Sequence, residues 1–170
     1  MLPRGKYHPF ELDTRGLGIV LRAAVDRGAK RCLVGIGGSA TNDGGFGLAR
    51  ALGWQFFNKH EEAITRWTQL HDLSVVRPPD VVRLFDELIV AVDVQNPLLG
   101  PNGCSRVYGP QKGLTEFDLA ERCLGQLAAV LEKQLPSSES HHHGQIQIPH
   151  AARVAATPQG LGAAGRHTAA

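Results

Sequence analysis

A short apolar run, Arg31-Cys32-Leu33-Val34-Gly35-Ile36, passes directly into a glycine-rich segment ending at Gly45, and helical spacing then resumes through Phe46, Ala49 and Leu52. A nearly continuous β-branched run of this length reads as a strand buried on both faces. Strand, glycine loop and helix in that order form the entry to an α/β unit. In open α/β sheets, ligands bind outside the carboxyl ends of such strands.

The neighbouring segments fit the same architecture. Leu17, Val20, Leu21 and Ala24 recur at three and four residues, one face of a helix that Asp13 or Thr14 can cap and Gly28 can stop. Residues 1–13 carry Pro3, Gly5 and Pro9 and read as an irregular lead-in. Residues 54–57 are a second strand candidate, and 58–79 are mixed and closed by Pro78-Pro79. Asp80 can cap a helix over 81–85. Leu88-Ile89-Val90-Ala91-Val92 is the clearest strand, and it runs into Asp93 and a proline/glycine loop as far as Gly113. Thr115 with Asp118 is a variant capping box. It opens the longest helix, with Ala120, Cys123, Leu124, Leu127, Val130 and Leu131 on one face and Pro136 at its end. Helices alternating with apolar strands predict an α/β fold with a mostly parallel sheet flanked by helices, Rossmann- or flavodoxin-like.

Composition narrows the functional classes. Of 170 residues, 42% are hydrophobic and 20% charged, the range of a globular domain. No apolar run approaches 18 residues, so no membrane span is expected. The amino end lacks the apolar stretch of a signal peptide. A net charge of +2 without a Lys/Arg cluster argues against a nucleic-acid partner. Cys32, Cys104 and Cys123 form no CxxC pair, so neither a zinc site nor a disulfide framework is expected, and the cytoplasm is the expected compartment. The balance breaks near Ser140. Residues 140–170 hold no Asp or Glu, two Arg and five His, including His141, His142 and His143. That stretch has no sustained apolar period and is expected to be disordered. The folded α/β domain is expected over residues 14–139.

Three loops carry possible chemistry. In the first, Gly35 through Gly45, five glycines allow close backbone approach to a ligand, and free amides at a helix start favour an anion. Ser39, Thr41 and Asn42 add neutral hydrogen-bonding groups, and Asp43 adds a carboxylate able to hold a metal or accept a proton. A dinucleotide fingerprint would need glycine where Ala40 stands, and a Walker loop would need a lysine that is absent. The plain alternative is a tight turn with polar filler, but five glycines and four polar residues exceed what a turn needs. The second loop is Asp93-Val94-Gln95-Asn96-Pro97-Leu98, whose alternative is an Asx turn before proline. The third is Gly109-Pro110-Gln111-Lys112-Gly113, where Lys112 is either a cation for phosphate or carboxylate or an exposed loop lysine. Two carboxylates, one lysine and an anion-binding glycine loop suggest phosphoryl transfer, a chemistry of positioning and charge stabilisation.

Ile36 through Gly45, Ala51-Leu52-Gly53, Asp93-Val94 with Asn96-Pro97-Leu98, and Gly109 through Gly113 resemble, in residues, order and spacing, the bacterial glycerate kinase family. The resemblance covers roughly residues 10–135. It implies ATP-dependent phosphorylation of glycerate to a phosphoglycerate, with ATP and Mg2+ as cofactors and a two-domain α/β fold. On this reading Asp43, Asp93 and Lys112 are catalytic, with Asp43 or Asp93 on the metal. Gly37, Gly38, Ser39, Thr41, Asn42, Gly44, Asn96 and Gln111 bind substrate or phosphate. Family members are about twice this length and usually carry a second glycine/alanine loop, echoed here only by Gly160-Leu161-Gly162-Ala163-Ala164. Gln95 stands where the family tends to have Thr, and Val92 where it often has Cys. The chain therefore reads as a truncated or frameshifted fragment of a two-domain kinase, with little turnover of its own. The rival readings are a non-catalytic α/β remnant that binds anions weakly and, disfavoured by the failed fingerprint, a nucleotide-binding oxidoreductase domain.

Overall fold

The apolar periods of the sequence become four strands and four helices over residues 7–92 and 94–134, which the computed structural model describes. The expectations for residues 140–170, for His141, His142 and His143, for Pro136 and for Asp93 lie outside these residues.

Helix α1 (Arg15–Asp26) buries Leu21 and half-buries Leu17 and Ala24, with Gly28 in a left-handed turn just beyond its end. Val20 is exposed, contrary to the expected face. Strand β1 (Arg31–Gly35) follows, then α2 (Phe46–Ala51). Strand β2 (Gln55–Asn58) pairs antiparallel with β3 (Leu73–Arg77), which follows a 3-10 turn at Trp67–Asp72. Strand β4 (Glu87–Ala91) lies parallel to β1, with Arg31 opposite Glu87 and Gly35 opposite Ala91. The carboxyl ends of β1 and β4 therefore share one edge, as the sequence predicts.

The fold is α/β, with a parallel pair and flanking helices. Several local expectations are corrected. No helix forms over 81–85; Val81 and Val82 stay exposed and Phe85 turns inward. Val81 and Val82, two β-branched residues after Asp80, disfavour a helical start. The stretch expected as loop up to Gly113 contains α3 (Cys104–Lys112), with Pro110 inside it. Helix α4 (Phe117–Gln134) buries Ala120, Cys123, Leu124, Leu127 and Val130 as expected. Its expected capping pair is used otherwise: the Thr115 hydroxyl donates to Glu116, and Asp118 pairs with Arg106. The lead-in is also partly structured. Pro9–Glu11 is a 3-10 turn, Phe10 meets Trp67 edge-on, and Trp67 Nε1 donates to the Pro9 carbonyl.

Two apolar clusters result. The larger joins α4, the β2–β3 ribbon and the 3-10 turn through Trp67, Leu70, Leu73, Phe56 and Cys123. The smaller gathers Leu21, Val34 and Phe85 beside β1. Helices α1 and α2 approach closely because Gly18 and Gly47 lack side chains. A Cβ on Gly18 would stand 2.6 Å from Ala51 Cβ, and one on Gly47 2.7 Å from Asp13 Cγ.

Candidate functional site

The β1–α2 loop leaves the carboxyl edge of β1 with Gly37, Gly38 and Ser39 exposed. Among the described residues their backbone N–H groups take no hydrogen-bond partner. Ser39 Oγ and Thr41 Oγ1 lie 2.7 Å apart, and Ser39 Oγ also accepts from the Thr41 N–H at 3.2 Å. This half of the loop offers free amides and hydroxyls to an anion.

The second half turns inward. Asn42 is buried, and its Nδ2 donates to the buried Ser105 hydroxyl at 3.0 Å. Asp43 is 1% exposed. Its Oδ2 accepts from Thr14 N at 2.9 Å, Thr14 Oγ1 at 2.8 Å and Gly47 N at 2.9 Å, and Oδ1 accepts from Gly45 N at 3.4 Å. Thr14 Oγ1 in turn accepts from Leu48 N at 2.9 Å. The carboxylate thus satisfies unpaired N–H groups at the starts of both α1 and α2, where helix dipoles favour negative charge. Asp43, expected as a carboxylate that holds a metal or accepts a proton, lies in this structure buried between two helix starts. Gly44 adopts φ +59°, and a Cβ there would lie 2.9 Å from Leu124 Cδ2, so the turn needs glycine on both counts.

The expected third loop is the last turn of α3. Gly109 is buried where a Cβ would meet Leu114 Cδ2 at 2.8 Å, and Gly113 caps the helix in the left-handed region. These glycines serve packing and termination. Gln111 is exposed and Lys112 half-buried. Lys112 Nζ donates to the Thr41 carbonyl at 2.6 Å, which joins α3 to the glycine loop. Burial pulls the Lys112 pKa below the usual lysine value, while the nearby Cys104 and Asp43 oppose that shift. Burial also pushes the Cys104 thiol up.

In the second loop Asn96 is exposed. Its Nδ2 donates to the Asn102 carbonyl at 3.1 Å, and its Oδ1 accepts from the Tyr108 hydroxyl at 2.6 Å. The structure therefore gathers Gly37, Gly38, Ser39, Thr41, Asn42, Gly44 and Lys112 around one loop. Asn96 sits separately on its own loop, held by α3, and no hydrogen bond joins it to the glycine loop. Sequence reasoning missed Thr14, Ser105 and Tyr108. In the sequence Thr14 reads only as a helix cap, and the other two lie in a helix that its glycines and proline conceal.

These loops invite comparison with known proteins. The family model described as "Glycerate kinase family" matches residues 1–170. The chain belongs to the glycerate kinase family. It is 40% identical over 144 residues to a glycerate kinase of Bacillus subtilis, covering 81% of this chain and 37% of that protein. With the glycerate 2-kinase of Escherichia coli the identity is 39% over 142 residues, 79% of this chain and 37% of that one. A crystal structure from Salmonella typhimurium LT2, of a protein assigned as glycerate kinase 2, superposes with a TM-score of 0.69 at 33% identity, covering 78% of this chain and 37% of that chain. The chain thus spans a little over a third of the length of these relatives.

The glycerate kinase resemblance implies ATP and magnesium, and the residues present fit them unequally. Free amides, two hydroxyls and a lysine suit phosphate oxygens. For a metal ion, the described residues hold no group of three or more His, Cys, Asp or Glu able to bind one, and the Asp43 carboxylate already accepts hydrogen bonds at both oxygens, the one at Oδ1 a single long bond of 3.4 Å. The described residues alone do not make a magnesium site.

Proposed function

We propose that this chain carries the anion-binding loops of a glycerate kinase active site, and that the complete site moves the γ-phosphoryl group of ATP to a hydroxyl of glycerate. In that reaction the hydroxyl oxygen bonds to phosphorus, the bond to ADP breaks, and the hydroxyl proton passes to a base. The observation that carries the proposal is the clasp of Lys112 on Thr41, which brings a cation to the open mouth of the glycine loop.

The roles follow from the chemistry of each group. The Gly37, Gly38 and Ser39 amides and the Ser39 and Thr41 hydroxyls take negatively charged oxygens. Lys112 exchanges the Thr41 carbonyl for a phosphate or carboxylate oxygen, which binds a cation more strongly than a neutral acceptor does. Asn42 and Gly44 hold the loop in shape, and Asp43 is a positioning residue. Asn96 and Gln111, both exposed, are available to the rest of the substrate. Asp93 is the remaining carboxylate for base or magnesium. The enzyme is proposed to act in the cytoplasm on a small molecule. Among the described residues no helix is long and apolar enough to cross a membrane.

Alone, the chain is expected to bind anions weakly and turn over little, because phosphoryl transfer needs excluded water and aligned reactants. The test is calorimetry of the purified chain with ATP, inorganic phosphate and glycerate, beside a coupled ATP-consumption assay. Millimolar binding that Lys112→Met abolishes supports the proposal. Absence of binding by all three ligands defeats it. Turnover in the ordinary range of roughly 1–1000 per second by the chain alone would show that it needs nothing more. A second reading, a non-catalytic module, draws on the consumption of Asp43 as a structural acceptor. Anion binding that never leads to turnover, even in a completed fold, would favour it.

A further inference from the structure

Helix α3 holds both candidate loops through one face. Ser105, Tyr108 and Lys112 stand three and four residues apart, the spacing of a single helical face. Ser105 Oγ accepts from Asn42 Nδ2, and Lys112 Nζ donates to the Thr41 carbonyl, so the outer two grip the glycine loop. Tyr108, between them, grips the other loop: its hydroxyl donates to Asn96 Oδ1 at 2.6 Å. Tyr108 and Lys112 are one turn apart, about 6 Å along the axis, so neighbouring turns of one helix carry the two loops.

The Tyr108 contact decides what Asn96 presents. The Asn102 carbonyl can only accept, which places the Asn96 NH2 against it at 3.1 Å and leaves Oδ1 to the phenol. With both ends held, an exposed amide that would otherwise turn freely is fixed in one orientation. The loop keeps its shape by other means. Gly103 N donates to the Gly100 carbonyl at 2.9 Å and Cys104 N to the Pro97 carbonyl at 3.0 Å, while Gly100 N donates to Glu121 Oε2 at 2.9 Å and so fastens the loop to α4. The Tyr108 hydroxyl therefore orients one side chain and closes nothing. The fixed amide keeps one N–H and one lone pair unused. A carboxylate or phosphate oxygen only accepts, and Oδ1 beside the N–H repels it. A hydroxyl both donates and accepts, and it matches the pair.

We infer that Tyr108 is a positioning residue that holds Asn96 ready to read the hydroxyl groups of a small hydroxy acid, while the acid's carboxylate, like a phosphate, goes to Lys112 and the glycine loop. The inference rests on the proposed reading of that loop as an anion site and adds to it the group that selects for hydroxyls.

The test titrates the isotope-labelled chain of 170 residues with three probes and follows the Asn96 side-chain NH2 by NMR. The probes are glycerate, inorganic phosphate, and propionate, a carboxylate of the same carbon count without hydroxyls. Glycerate should shift the Asn96 signals, and the other two should leave them in place. Tyr108→Phe keeps the ring and should weaken glycerate binding about three- to tenfold, the worth of one hydrogen bond, with propionate and phosphate changed by less than about twofold. Its thermal melt should stay close to wild type, because the lost bond is exposed. Lys112→Met should weaken all three probes. Asn96→Ala should weaken glycerate alone, and adding Tyr108→Phe to it should cost nothing more, because Tyr108 acts through Asn96. Equal weakening of glycerate and propionate by Tyr108→Phe, no weakening of either, or additive losses in the double variant would overturn the inference. Phosphate binding that Lys112→Met abolishes, with glycerate indifferent to Tyr108, would sink this inference and leave the functional proposal standing. Glycerate binding that depends on Tyr108, with no binding of ATP or phosphate, would do the reverse. A chain that binds none of the probes overturns both.

Discussion

The described chain has two halves built to different degrees of closure. Around α4, an antiparallel ribbon and a 3-10 turn enclose Trp67, Leu70 and Cys123 on all sides. Around β1 and β4, three residues make the buried cluster, and apolar side chains on both faces of the strands meet solvent. The difference lies in topology. An antiparallel pair joined within twenty-odd residues can pack one face on a helix and solvate the other, whereas a parallel pair reaches closure only when elements distant in sequence cover both faces. The anion loop springs from the open half and is anchored to the closed half.

The sharpest way to break this comparison is a pair of truncations. Trp67→Ala removes a fully enclosed ring and should cost about 3–5 kcal/mol, whereas Leu33→Ala removes an exposed side chain and should fall within about 0.5 kcal/mol. Urea denaturation of both variants is the measurement. Equal losses would mean that the β1–β4 half is covered in solution.

Asp43→Asn tests the joint between the halves. The NH2 that replaces one carboxylate oxygen is a donor, so it faces either the Gly45 N–H or the Thr14 and Gly47 N–H groups with the wrong polarity, and the charge that strengthened the remaining bonds is lost. Loss of charge-assisted hydrogen bonds in a buried site should cost about 2–3 kcal/mol. A thermal melt unchanged from wild type would remove the structural role and favour Asp43 as metal ligand or base.

These two sites also show what the sequence can and cannot convey. Helices α1 and α4, strands β1 and β4 and the shared carboxyl edge were legible because each has a strong local apolar period. Helix α3 was hidden because Gly103, Gly109, Pro110 and Gly113 look like loop residues until their packing is seen. Gly109 is small to let Leu114 approach, and Gly113 is a helix stop. The bareness of Leu33 was invisible for the opposite reason: its run reads as buried, and only three-dimensional neighbours decide whether burial happens. For the site, the loop glycines and Lys112 could be picked out by residue type. The engagement of Asp43 could not, because its partner Thr14 lies 29 residues earlier.

Gly44→Ala sharpens the comparison at the contact of loop and closed half. A left-handed φ and a Cβ 2.9 Å from Leu124 Cδ2 together should cost about 1–2 kcal/mol. If Leu124→Ala makes room, the double variant should lose less than the sum of the singles. Strict additivity in a double-mutant cycle would show that the clash is relieved by backbone movement instead.

The smallest effect belongs to Lys112, where the open loop meets α3. Burial lowers its pKa below the ordinary 10.5. Between the folded pKa and 10.5 the unfolded chain binds more protons than the folded one, so stability from this group rises with pH across that window. It is fully present above 10.5 and is lost as pH falls through the folded value. Cys104, close to Lys112, works against it: its raised thiol pKa favours the folded state below 9.0 and loses that advantage as pH climbs through the folded pKa. The wild-type pH profile therefore mixes two opposing slopes, and Lys112→Met isolates one. The stability difference between wild type and Lys112→Met, measured by urea titration from pH 7 to pH 11, should shift in favour of the wild type toward the alkaline end. With saturating phosphate the bound anion should restore the lysine charge and flatten the shift. A difference that stays constant with pH and is indifferent to phosphate would mean that Lys112 is solvated in both states, and the clasp on Thr41 would lose its claim to be part of an anion site.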